Sequence, residues 1–152
     1  MDRLAEAETL LKAAQAENEH VREMLDRKRD FVSGETVFVA LFPLIYGVLT
    51  FAYSTALWNP AGVHAAALRV PGAPESWGGT FIVLSVAIVA SACLRKKWWL
   101  VVSCLCASFV YATFMLIVLM ASVAFPRTLG QAAIYLIFSL LFLNRARLAW
   151  VT

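Results

Sequence analysis

Residues 36 to 58, TVFVALFPLIYGVLTFAYSTALW, hold no charged side chain in twenty-three positions. As an α-helix such a run is about 35 Å long and satisfies its own backbone polar groups. It therefore fits across a hydrocarbon layer of roughly 30 Å with some tilt. The rest of the chain is little less apolar. Of its 152 residues 61% are hydrophobic, with a mean hydropathy of +0.74, above the apolar share of an ordinary soluble domain. A soluble fold of this length could not bury that much apolar surface, so the sequence predicts an all-α membrane protein.

Three further runs complete the pattern. Residues 59–76 (NPAGVHAAALRVPGAPES) carry Asn-Pro and Pro-Gly turn signals and read as a loop. Residues 77–94 form a second span that stops at Arg95-Lys96-Lys97, because each such charge costs about 2.5–3.5 kcal/mol at a helix centre. Residues 98–124 form a third, Phe125-Pro126-Arg127 a turn, and 128–143 a fourth. A tail over 144–152 contains Arg145 and Arg147. The expectation is four transmembrane helices behind an N-terminal helix over 1–33.

Charge is segregated along the chain. Residues 1–35 hold nine of the ten acidic and six of the thirteen basic residues. Arg27, Lys28 and Arg29 precede the first span, Arg95, Lys96 and Lys97 lie between the second and third, and Arg145 and Arg147 follow the fourth. Only Arg69 and Arg127 fall on the opposite side. By the positive-inside tendency both termini are expected in the cytoplasm and the spans in the plasma or inner membrane. The clustered cations serve topology first and contact with anionic headgroups second. Trp58, Trp77, Trp98, Trp99 and Trp150 all stand at span ends, as an interfacial belt would place them.

The N-terminal arm has heptad spacing. Leu4, Leu11, Asn18 and Leu25 recur every seven residues, with Ala7, Ala14 and Val21 three positions after the first three. They make an a/d seam, and a parallel partner would set Arg3 against Glu8 and Glu17 against Arg22. The predicted partners are the lipid bilayer and a second copy of this chain, or else a membrane or coiled-coil partner. Nothing suggests nucleic acid.

Sites for chemistry are scarce. The spans lack ionisable Asp, Glu, His or Lys side chains, which intramembrane catalysis and ion coupling require. No nucleophile elbow, zinc-protease motif or phosphate loop is present. Cys93, Cys104 and Cys106 read as apolar fillers, and His20 and His64 have no ligand partners at metal-site spacing. The sequence predicts no enzyme, metal or cofactor. Glu35 is expected at a helix N-terminus after a Ser33 cap, with Gly34 as a flexible break between arm and span. Pro43 and Gly47 are further hinge candidates within PLIYG. Small residues Cys104, Ser108 and Ala112, and Ala87 and Ser91, form stripes suited to close helix contact.

In layout the whole chain resembles the small multispan holins of bacteriophages and the small pore-forming effectors of bacterial defence systems. It shares no motif with them. The charged N-terminal arm departs from holins, whose charged segments lie more often at the C-terminus. The resemblance implies a small oligomerising protein that permeabilises a membrane. The alternative is a non-enzymatic scaffold or accessory subunit that recruits a partner through its arm. The loop over 59–76 lacks cysteine, which sets the chain apart from tetraspanins and claudins.

Overall fold

The structure, a computed structural model, describes residues 2–58, 67–69, 71–122 and 129–151. Among the described residues there is no strand, and the four long helices are α1 (Asp2–Leu57), α2 (Glu75–Cys93), α3 (Lys97–Ser122) and α4 (Leu129–Val151). Each contains a stretch long and apolar enough to cross a membrane. They form a four-helix bundle in which α1 packs chiefly on α2 and α3 chiefly on α4. Lesser contacts from α2 to α3 and from α1 to α4 close the ring. The partners of α1 run antiparallel to it: Asp30 and Glu35 pair with Arg95 just past α2 and with Arg145 late in α4, whereas Phe42 and Tyr46, further along α1, meet Phe138 and Phe81, earlier in α4 and α2.

The break expected at Ser33-Gly34 is absent: α1 passes through it without interruption, and the Ser33 cap with it. One glycine costs a helix only about 1 kcal/mol, which the flanking contacts offset. Val32 and Thr36 are both buried, and the Thr36 hydroxyl donates to the Val32 carbonyl at 2.6 Å across Gly34. Nor does the backbone leave helical geometry at Pro43 or Gly47. It does so at Ser54 (φ 38, ψ −116), a positive-φ conformation that costs a non-glycine residue about 1–3 kcal/mol. The Ser54 hydroxyl donates to a carboxylate oxygen of Glu75 at 2.5 Å, holding the kink against the start of α2.

The fourth helix also departs from expectation. It runs beyond residue 143 through Asn144, Arg145 and Arg147 to Val151, because charges mark the end of an apolar run without ending a helix. Between α2 and α3 the chain turns in three residues. Arg95 has φ 52, the Lys96 amide donates to the Ser91 carbonyl at 3.0 Å, and the Arg95 amide donates to that of Ala92 at 3.1 Å. This is a Schellman closure with arginine where glycine is usual. The predicted turn at 125–127 and half of the 59–76 loop lie outside the described residues. Of that loop, a 3₁₀ turn (Ala67–Arg69) is tied down by the Trp77 indole, which donates to the Ala67 carbonyl at 3.0 Å.

Aromatic rings fill the bundle. Phe81 stands at its centre, 5.6 Å from Tyr46, 5.6 Å from Tyr111 and 5.4 Å from Phe114 between ring centroids. Tyr111 stacks on Phe138 and Phe142. Trp58 is fully buried, edge-on to Phe114, and Trp77 packs on the same ring. These two tryptophans belong to the interior at one end, so only Trp98, Trp99 and Trp150 stand exposed as an interfacial belt would.

Candidate functional site

Three features bear on function: the free arm, the charged end of the bundle, and the way the helices lock together. The arm is the part of α1 that precedes Val32. Of the seam, Ala7, Leu11, Ala14, Asn18, Val21 and Leu25 are all exposed, Leu11 by 62% and Leu25 by 52%. Leu10 and Met24 beside them are exposed as well. The Leu4, Lys28 and Arg29 side chains lie outside the described set, as does His64. The arm projects roughly 45 Å from the bundle, at 1.5 Å per residue over its thirty positions. Among the described residues its apolar stripe stays exposed.

At the end of the bundle nearest the arm, which we term the basic end, two ion pairs tie α1 to its neighbours. Arg95 donates to Asp30 at 3.1 Å, with both side chains exposed. The Arg145 guanidinium meets the Glu35 carboxylate, and here the setting differs: the Arg145 side chain is only 13% exposed and that of Glu35 39%. Glu35 is therefore a cross-helix anchor, in place of the helix-start role expected of it. Arg145, expected from the sequence to serve topology, has a structural partner in Glu35. Arg27, Lys96, Lys97 and Arg147 are exposed. Val32 is buried and lines a small crevice with Ser91, Leu100 and Ala149.

Helix contacts are set by small residues. Gly47 and Gly78 cross so closely that a Cβ on Gly47 would lie 2.8 Å from the Gly78 carbonyl oxygen and 2.8 Å from Ile82 Cγ1. Gly47 is thus a packing position between α1 and α2, while Gly34 has open space around it. On the other pair, Ser108 donates to the Ser139 carbonyl at 2.9 Å and Ser139 donates back to the Ser108 carbonyl at 3.0 Å. Cys104 and Ser108 of the small-residue stripe are buried, and Ser108 makes its bonds within this chain. Thr50, Ser85 and Ser91 each donate to the carbonyl four residues back in their own helix, so these buried hydroxyls are satisfied locally.

The interior has no ionisable carboxylate, imidazole or amine between its ends, and no cluster of His, Cys, Asp or Glu able to hold a metal occurs among the described residues. The cysteines are free, Cys104 buried and Cys93 and Cys106 exposed. Sequence reasoning missed Ser139, Gly78 and the Glu35–Arg145 pair. A lone acid at the start of an otherwise uncharged run was the one visible hint of the last. No protein family, curated protein or solved structure matches this chain.

Proposed function

We propose that this protein is a small self-assembling membrane permeabiliser of holin-like layout, with both termini in the cytoplasm. The observation that supports this best is the exposed heptad stripe of the arm, carried on a helix that runs without a break into the first apolar span as far as Ser54. Parallel arms from neighbouring copies would pack through Leu11, Val21 and Leu25, and confinement in one membrane raises their effective concentration. Because α1 is continuous from the arm to Ser54, arm association would also fix where the first spans stand relative to one another. The bundle exterior is apolar, with Phe38, Ile45, Phe109, Met120 and Ile137 all exposed, a surface suited to lipid and too extensive for water.

Any aqueous path would lie between copies, since Phe81, Phe114, Ile88 and Phe142 pack the middle of each bundle with no exposed surface. That same filled interior equally suits the second reading, a non-enzymatic scaffold or accessory subunit whose arm recruits a coiled-coil partner. Controlled expression in a bacterium separates them. A permeabiliser depolarises the membrane and arrests growth, and the Leu11→Asp, Leu25→Asp double variant delays both while shortening the ladder of cross-linked oligomers. Normal growth and potential with proper membrane insertion would refute autonomous permeabilisation. An unchanged ladder in the double variant would refute assembly through the arm.

A further inference from the structure

The groove that α3 and α4 form at the basic end has a shape and charge that nothing above uses. Its floor is made of small or flat side chains, Val101 and Ala146, both nearly inaccessible. Its walls are Leu140 and Leu143, about half exposed, so the groove opens on the apolar outer face of the bundle. The volume is about 430 Å³. Leu140, Leu143, Asn144 and Arg147 follow one another at helical spacing on one side of α4, so the groove runs about 10 Å along the axis from leucine to arginine.

The two ends of this groove differ in chemistry. The leucine end is wholly apolar and lies toward the middle of the bundle. The other end is lined by Arg147 and Asn144, beside Trp150, which is braced edge-on against Trp98 at 4.8 Å between centroids. Asp30 and Glu35, the two carboxylates where α1 joins the bundle at this end, are engaged by Arg95 and Arg145. Arg147 has no carboxylate partner among the described residues. An unneutralised guanidinium at the depth of an indole belt, above an apolar trough, is complementary to an anion attached to a hydrocarbon chain.

We infer that this groove is a binding site for one anionic phospholipid, its acyl chain along Val101, Leu140 and Leu143 and its phosphate on Arg147 and Asn144. The inference needs the bundle to lie in a bilayer but is independent of whether the protein permeabilises it. Specificity comes from Arg147 alone; Lys96 and Lys97, on the turn between α2 and α3, lie outside the groove and contribute only diffuse attraction.

The test is native mass spectrometry of detergent-solubilised protein offered equal amounts of dioleoylphosphatidylglycerol and dioleoylphosphatidylcholine. Each variant is taken from membranes washed at alkaline pH, where failed insertion shows separately as protein lost from the membrane fraction. Wild type should retain one phosphatidylglycerol in preference to phosphatidylcholine. Arg147→Gln should reduce that preference about five-fold, the effect of one cation at a lipid surface. The Lys96→Gln, Lys97→Gln double variant should leave it intact. Ala146→Leu, which fills the floor, should weaken retention of both lipids together. Equal retention of the two lipids by wild type, an unaltered preference in Arg147→Gln, or an equal loss in the lysine double variant would overturn the assignment. So would lipid-free dimers that persist in the Leu11→Asp, Leu25→Asp double variant and are lost in Ala146→Leu, which would place a second copy in the groove.

Discussion

The two glycines of α1 provide a matched pair of substitutions with opposite expected signs. Glycine to alanine inside a helix removes backbone freedom from the unfolded chain and favours the fold by roughly 0.5–1 kcal/mol where space allows. At Gly34 nothing lies within 4 Å of an added Cβ, so Gly34→Ala should realise that whole gain. At Gly47 the same methyl group would meet the Gly78 carbonyl oxygen at 2.8 Å and the Ile82 amide nitrogen at 3.2 Å. These are backbone atoms of a packed helix and cannot swing aside, so α2 must shift. Overpacking of this kind costs about 1–3 kcal/mol, and the rigid neighbours place it near the upper end. Less the propensity gain, Gly47→Ala should be destabilised by about 2 kcal/mol, and the two variants should differ by about 3 kcal/mol. The assay is reversible unfolding in mixed micelles of rising SDS content, followed by far-ultraviolet circular dichroism. If Gly47→Ala proved as stable as wild type, the close crossing of α1 and α2 would be refuted. If Gly34→Ala were destabilised, α1 could not run as helix through Gly34.

Other measurements probe the remaining contacts. Ser108→Ala and Ser139→Ala should each cost about 0.6 kcal/mol, typical of interhelical bonds in membranes, and the double variant less than their sum because the bonds are shared. Additive losses in a double-mutant cycle would mean the two serines act independently. Glu35→Gln should destabilise more than Arg145→Gln. The first strands a guanidinium that is 13% exposed, whereas the second leaves a carboxylate that water reaches, a cost of about 1 kcal/mol. Equal unfolding midpoints for the two variants would contradict the burial difference. In detergent, N-ethylmaleimide should modify Cys93 and Cys106 readily and Cys104 only after denaturation, as read by intact mass.

The elements that sequence reasoning recovered are those determined by local sums. An uncharged run from Thr36 to Trp58 requires a helix wherever it meets lipid, and the Arg95-Lys96-Lys97 cluster interrupts the apolar chain regardless of what surrounds it. Helix ends were less legible. Arg145 and Arg147 mark the end of apolarity but have good helix propensity, so α4 continues past them. The Ser33-Gly34 pair resembles a cap and a break, yet Val32 and Thr36 are held in the bundle on either side and the helix does not part.

By itself, then, the sequence determined that the chain is helical, that it has four runs able to span a membrane, that its charges gather at one end, and that its arm bears a heptad stripe. Only the tertiary structure decided that Gly47 meets Gly78, that Ser108 exchanges hydrogen bonds with Ser139, that Trp58 lies inside, and that Glu35 finds Arg145 110 positions away. The physical reason lies in the apolarity of all four helices, each able to cross a membrane. A helix in water shows its inner face as an apolar stripe, but here Phe109, facing outward, and Phe114, facing inward, are the same residue type on one helix. With both faces apolar, no periodicity marks the interior, and small residues and isolated charges acquire their roles only when the opposing helix is in place.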